Sequence, residues 1–475
     1  IFDPMENSQI IFLLRTLDAR ELRAFKKWLI SPFHNQREDL IDLFDYIMYK
    51  DHLFREDQLE KEKIFKKIVP DTEYDDARLR QTVHFLMKAL ESFLTYQEFT
   101  EDEATLNRAL AKVYRSRKQE KAFLKTMRNL EKIQENSAHR GEEHLRNEFL
   151  LHWERYKFYE GKKRTTDLQL QEVSDNMDIA YIASRLRQSC LMLAHQKVYK
   201  MDYDMGMMDA TLAYLETKNL LHIPAIAIFY HGYKAFTNEQ EEQHFRLLKD
   251  AISAYSHFFP PAEIREIYLM AINYCISRMN TGQKSFVREA FDLYKLGIEN
   301  EVLIENGQIS RFTFRNIVNT GTPLKEFDWL NGFIQSYQES LEEKHRDSLV
   351  CFSLAKIHFE KREYNQAMKL LAQFEDDDML TNLYGKAMLI QMYYEEDEYD
   401  ALESLLESMR AYLKRKQIIS YHKDLYTNLI KYTKKLVKIN PYNQQQKDLL
   451  AEEIKNVSPL PIKTWLLERL AEISN

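Results

Sequence analysis

The chain has 475 residues, 44% of them hydrophobic and 12% aromatic, yet only 10 are Gly and 10 Pro. Average usage is about 7% Gly and 5% Pro, so breakers are scarce, helix is expected nearly throughout, and the supply of core-forming side chains argues against any long disordered span. A formal net charge of −7 disfavours general nucleic-acid binding and leaves only local basic patches open to it.

Cys190, Cys275 and Cys351 are far apart and follow no CxxC spacing. They are expected to be reduced, buried small hydrophobes in a cytoplasmic protein, not a disulfide framework or a zinc site. No apolar run approaches the roughly 18 residues that span a bilayer, and the first residues lack a basic segment followed by a hydrophobic signal core. Ile1–Pro4 precede Met5, which is taken as the native start.

From Ser8 to Ile30, the residues Ile11, Leu14, Leu22, Phe25 and Leu29 recur at helical spacing, with a break at Asp18. Asp18 and Glu21 stand in capping-box relation, so a second helix starts there. Ser31-Pro32 stops it, because the residue before proline is pushed out of the helical region. A helix over Glu38 to Tyr49 should bury Leu40, Leu43, Phe44 and Ile47. Further helices are expected from Leu59 to Val69, closed by Pro70, and from Ala77 to Phe99. Residues 5–100 are read as a separate N-terminal helical module or cap.

Between Glu101 and Glu135 the spacing predicts a helical hairpin with Ala111, Tyr114, Ala122 and Met127 at its seam. Helices over Glu143–Tyr159 and Asp175–Tyr199 follow, separated by the turn from Glu160 through Gly161 to Arg164. A partner helix comes after the turn from Lys200 to Asp204. Pro224 opens a helix running to Phe236, where a missing amide costs nothing. Pro260-Pro261 ends the helix Leu247–Phe258. Hairpins then continue as Glu263–Met279, Ser285–Gly297, Phe312–Val318 and Lys325–Leu341, with Gly282, Gly307 and Gly321 marking turns.

Two successive hairpins between Ser348 and Met409 carry one pattern twice. The first has Leu354, Ala355, Phe359, Tyr364, Ala367 and Leu371; the second has Leu389, Tyr393, Tyr394, Tyr399, Ala401 and Leu406. Small residues let paired helices approach closely, and the aromatic and aliphatic ones fill the gap to the next pair. Tyr364 and Tyr399 are 35 positions apart. This stretch resembles the tetratricopeptide repeat, whose usual period is about 34. In the second copy Lys386 stands where a bulky apolar residue belongs, and Ala401 is shifted by one. The resemblance implies an all-α right-handed superhelix over residues 101–475, its concave face holding a segment of another protein. Helices over Leu413–Lys438 and Gln444–Val457 follow, and Ile462–Ile473, after Pro459 and Pro461, is read as a capping helix.

No phosphate loop, dinucleotide fingerprint, HExxH or GxSxG occurs, so no catalytic, cofactor or metal residues are expected. His144 and His152 are out of helical phase for a shared metal, and Asp202, Asp204 and Gly206 read as a turn rather than a calcium loop. The acidic runs Glu375–Asp378 and Glu395–Asp400 read as solvated turns. Met201, Met205, Met207 and Met208 read as packing. Two basic groups could hold phosphates or RNA: Arg115, Arg117, Lys118, Lys121, Lys125 and Arg128 with Lys162, Lys163 and Arg164; and Lys414, Arg415, Lys416, Lys431, Lys434, Lys435 and Lys438 among Tyr421, Tyr426 and Tyr432. The same mix also describes an ordinary solvated helix, with the tyrosines of the second group packed inward, and that reading is favoured. The expectation is a non-enzymatic scaffold or adaptor that binds a protein or peptide partner. The alternative is a regulatory protein touching nucleic acid or transcription machinery through Lys26, Lys27, Arg78 and Arg80.

Overall fold

The computed structural model describes residues 5–70, 72–160, 162, 167–199, 201–238, 241–372, 374, 379–415 and 420–473. The fold is all-α, with 23 α-helices among those residues, most of them packed against a neighbour in the chain. Two compact units divide it, Ile1–Tyr181 and Ile182–Asn475.

In the first unit, α1 (Gln9–Arg15) and α2 (Ala19–Ile30) are separated by the expected capping box. The Asp18 carboxylate accepts the Glu21 N–H at 2.7 Å while the Glu21 carboxylate accepts the Asp18 N–H at 2.8 Å, satisfying donors that a helix start leaves open. α3 (Glu38–Met48) buries the four predicted residues. With α4 (Lys61–Ile68) and α5 (Asp76–Glu101) it closes one core around Phe25, Phe44, Leu86 and Phe93. The hairpin of α6 (Glu103–Ser116) and α7 (Glu120–Asn136) closes on Ala111, Phe123, Met127 and Leu130. α8 (Glu142–Tyr159) is held to it by Arg115, paired at 2.5 Å with the buried Glu154, and by the stacked rings of Phe123 and Phe158. The division between the units falls within α9 (Leu170–Tyr199).

The second unit continues with α10 (Met208–Lys218), α11 (Pro224–Thr237) and α12 (Gln243–Tyr255), then α13 (Pro261–Asn280) and α14 (Ser285–Glu299). Two short antiparallel strands follow, β1 (Ile304–Glu305) and β2 (Gln308–Ile309), with Asn306 and Gly307 at positive φ in the tight turn. The expected turn at Gly307 is thus the tip of a hairpin that periodicity gave no sign of. Next come α15 (Arg311–Gly321), α16 (Phe327–Tyr337), α17 (Glu343–Glu360), α18 (Tyr364–Ala372), α19 (Met379–Glu395) and α20 (Tyr399–Arg415). α21 (Ser420–Val437), α22 (Gln444–Asn456) and α23 (Lys463–Glu472) end the chain.

Several helix ends lie a few residues from expectation, and three of these differences bear on the packing. Gly321 does not mark a turn: it is the last residue of α15, where a Cβ would stand 2.6 Å from the Phe291 ring and 2.9 Å from Leu330. Its lack of a side chain lets α15 lie directly on α14. Lys325 belongs to the turn, not to the following helix, which starts at Phe327. The span Leu413–Lys438 is divided between α20 and α21, with Lys416 outside the described residues.

Five hairpins share one turn. Lys118, Gly282, Lys325, Arg362 and Asp397 are each left-handed, with φ of 56, 91, 60, 59 and 57°. In each, the next residue donates its N–H to the carbonyl five positions back: Gln119 to Tyr114, Gln283 to Arg278, Glu326 to Gly321, Glu363 to His358 and Glu398 to Tyr393, at 2.8 to 3.2 Å. This is the wider of the two bonds in a Schellman cap, which satisfies carbonyls orphaned at the helix end and reverses the chain. The last three recur at 37 and 35 positions, so α15/α16, α17/α18 and α19/α20 form a structural repeat. First helices also pack on first helices, α11 on α13, α15 on α17 and α17 on α19.

The paired motif is realised unevenly. Ala355 and Ala367 are fully buried, in one cluster with Phe352, Leu371, Met388 and Met392 and with Phe359 and Tyr364 half-buried. In the next hairpin Leu402 and Leu406 fill the seam, Ala401 is only half-buried and Tyr399 is exposed. The shift by one that the sequence showed at Ala401 is a real slip of the small-residue position.

Candidate functional site

α13, α15, α17 and α19 are the first helices of successive hairpins. Each buries one stripe against its second helix, and the residues left over form a groove. On α13 these are Asn273 and Ile276; on α15 Arg315, Asn316 and Asn319; on α17 Lys356; on α19 Tyr384. Helical spacing of three and four puts each set on one face.

Two chambers lie along this face and share Asn316. One, of about 710 Å³, reaches from Arg265 and Asn273 past the β1–β2 hairpin to Arg311 and His345. The other, of about 560 Å³, is lined by Ile276, Arg315, Asn319, Phe352, Lys356 and Tyr384. Among the described residues five cations and three carboxylates line the two, in a chain whose net charge is −7.

Two of those cations are neutralised locally. Arg265 pairs with Glu305, and Lys344 with Glu342 at 2.8 Å. The others are not. Arg311 points a guanidinium nitrogen at His345 Nε2, 3.2 Å away, and Arg315 donates to Thr381 Oγ1 at 3.2 Å, reaching from α15 to α19. Lys356 donates to the side-chain oxygen of Asn319 at 2.6 Å, and no carboxylate lies within ion-pair distance of it among the described residues. Burial is the main cause that pushes its ammonium down to about 8, with Arg315 acting in the same direction and Glu360 against it. A half-buried ammonium satisfied by one neutral amide keeps two donors for an anion.

None of these residues was singled out in the sequence. Lys356 falls between Phe352 and Phe359, and Asn316 and Asn319 interrupt the apolar run of α15. A polar residue repeated on first helices at positions where apolar ones are expected is the signal that would have found them.

The basic groups behave differently from one another. Lys434 pairs with Glu407 and Lys435 with Glu453, while Tyr426 and Tyr432 are buried, so the second group is a solvated face with its tyrosines inward. Lys416, and the side chain of Tyr421, lie outside the described residues. In the first group Arg115 is taken up by Glu154 and Lys162 by Glu120 at 2.7 Å, and Gly161, Lys163 and Arg164 lie outside the described residues. Arg117, Lys118, Lys121, Lys125 and Arg128 are exposed. In the first unit Lys26 pairs with Asp45 at 2.8 Å and Arg80 with Asp76 at 2.7 Å, which engages two of the four cations named as nucleic-acid candidates.

Other expectations resolve locally. Asp204 accepts the Gly206 N–H at 2.8 Å, an Asx turn between helices. Met208 packs as expected, but Met201 and Met207 are 52% and 64% exposed, so that part of the methionine stripe is surface. Cys190 and Cys275 are buried and Cys351 half-buried, all free. Glu395 is not a solvated turn residue: it accepts from Trp465 Nε1 at 2.7 Å and from Arg469 at 3.0 Å, tying α23 to α19. The run Glu375–Asp378 and Lys200 lie outside the described residues. Among the described residues no helix is long and apolar enough to cross a membrane.

No protein-family model matches the chain, no curated protein matches it significantly, and no solved structure does.

Proposed function

We propose that the chain is a non-enzymatic cytoplasmic adaptor of tetratricopeptide-like build, and that the groove along α13, α15, α17 and α19 holds a carboxylate-bearing segment of a partner protein. The observation that carries the reading is Lys356, a half-buried cation facing the groove whose partner among the described residues is an amide and not an acid. A carboxylate placed there makes a charge-assisted hydrogen bond, worth about 1.5–3 kcal/mol. The amides of Asn273 and Asn316, the latter also bonded to the Tyr294 side chain, bring donor and acceptor groups to the groove, the pattern needed to hold an extended backbone. The repeated turns at Lys325, Arg362 and Asp397 support the tetratricopeptide-like reading, because they set successive first helices side by side.

The test is fluorescence anisotropy with labelled peptides that differ only in Glu against Gln content. The acidic series binds more tightly, and Lys356→Met lowers its affinity by about tenfold or more while leaving the Gln series unchanged. Equal binding of both series, or an unaffected Lys356→Met variant, overturns the reading.

A further inference from the structure

A second charged surface lies in the first unit, on α7. Its buried face is Phe123, Thr126, Met127, Leu130 and Gln134. The opposite face presents Lys121, Lys125, Arg128 and Lys132, all exposed, at spacings of four, three and four. At 1.5 Å per residue these charges form a single file about 16 Å long. Among the described residues none of the four takes part in an ion pair or side-chain hydrogen bond. The acids of the same helix are engaged elsewhere, Glu120 with Lys162 and Glu131 with Arg155, and Glu135 ends the row one turn beyond. Arg117 and Lys118, exposed in the preceding turn, extend the charge at the other end.

Like charges three and four positions apart on a helix repel. Four in succession, with the intervening Glu131 turned off the row and paired with Arg155, make a file whose self-repulsion is relieved when an anion lies along it. From this geometry we infer that the exposed face of α7 binds the phosphodiester backbone of a nucleic-acid duplex without reading its sequence. A strand carries one phosphate about every 3.4 Å of helix axis, so a single file of cations follows it closely. A sheet of lipid headgroups would call for a two-dimensional patch, and the row carries no apolar side chain to enter a bilayer. No aromatic residue stands in it either, so the contact is to the backbone and not to stacked bases. This surface is independent of the groove.

The test titrates the full chain with DNA and RNA duplexes of about 20 base pairs while salt is varied. Four phosphate contacts give a log–log slope near −3.6, so that affinity falls by about 100-fold between 50 and 200 mM salt. The joint reversal Lys121→Glu, Lys125→Glu, Arg128→Glu and Lys132→Glu abolishes this binding. A control reversal of equal charge, Lys66→Glu, Lys67→Glu, Lys369→Glu and Lys455→Glu, retains most of it. Preference for DNA or RNA identifies the source of the phosphates. The inference is overturned by absence of duplex binding at 50 mM salt, by equal loss in both reversals, by polyglutamate binding as tightly as the duplexes, or by binding to phosphatidylserine vesicles alone.

Discussion

Lys356 on α17 reaches across to Asn319 on α15 with its ammonium 2.6 Å from the amide oxygen, so the groove's central cation is positioned by a neighbouring repeat and not by an acid. Burial holds that ammonium down to about 8. A bound carboxylate favours its charged form, so binding takes up a proton near that pH. Affinity for acidic peptides should therefore fall as pH rises through about 8, and titrations in two buffers of different ionisation heat should reveal the uptake. A flat affinity across this range would remove Lys356 from the contact.

The same group affects stability. Between about 8 and the usual lysine value near 10.4 the unfolded chain binds the proton that the folded chain has released, so stability rises with pH in that window. Below it the folded state bears a cost of as much as about 3 kcal/mol. Lys356→Met should raise the denaturation midpoint at neutral pH even as it removes peptide affinity. A variant that loses both would show that the lysine is structural.

His231 and His244 meet between α11 and α12 with their Nδ1 atoms 3.2 Å apart. Burial, then the neighbouring His244, pushes His231 down to about 4, and burial lowers His244 as well; Lys234, Glu216 and Glu241 surround the pair. As pH falls from about 6.5 toward 4 the unfolded chain takes up protons that the folded pair refuses, so stability is lost in that window. His231→Phe should flatten the acid limb of a stability–pH curve by as much as about 3 kcal/mol. An unchanged limb would place the loss elsewhere.

Glu395 joins Trp465 and Arg469 of the last helix to α19, with both charged side chains largely buried. Removing Glu395 leaves the Trp465 N–H without its acceptor and Arg469 with only the more exposed Glu472, 2.8 Å away, so Glu395→Ala should cost about 1–3 kcal/mol and speed amide exchange over Lys463–Glu472. Retention of full protection there would mean that Leu466 and Leu470 alone hold the helix.

Arg362 occupies the left-handed position that glycine adopts without strain, at φ 59°. Arg362→Gly should stabilise the chain by about 1 kcal/mol, read as a shift in the urea midpoint. The same change at Asp397 should yield less, because the Asp397 carboxylate accepts the Tyr399 hydroxyl at 2.9 Å.

The fold was largely legible because its signals are local. Capping at Asp18, proline at Pro224 and the stripe of Leu40, Leu43, Phe44 and Ile47 each act within a turn or two of helix. The repeat was harder to see. Four of its five turns put Lys, Arg or Asp where glycine is the usual residue, and only Gly282 announced itself. Gly321 misled for the opposite reason, since a close helix crossing and a turn both select glycine. The groove was not legible at all. Lys356 and Asn319 lie 37 positions apart, and nothing in a one-dimensional pattern distinguishes a polar residue facing a groove from one facing water. The α7 row was half-visible: Lys121, Lys125 and Arg128 stood out, but only the structure separates them from the engaged Arg115 and Lys162 and adds Lys132.

Photo-cross-linking tests the central claim most directly. A benzophenone side chain replaces Tyr384, which is 63% exposed at the groove wall, or Tyr442, which is 96% exposed outside it. With an acidic peptide that binds the chain, label transfer from position 384 and not from 442, blocked by excess unlabelled peptide, is the expected result. Equal transfer from both, or transfer from 442 alone, would contradict the assignment of the groove.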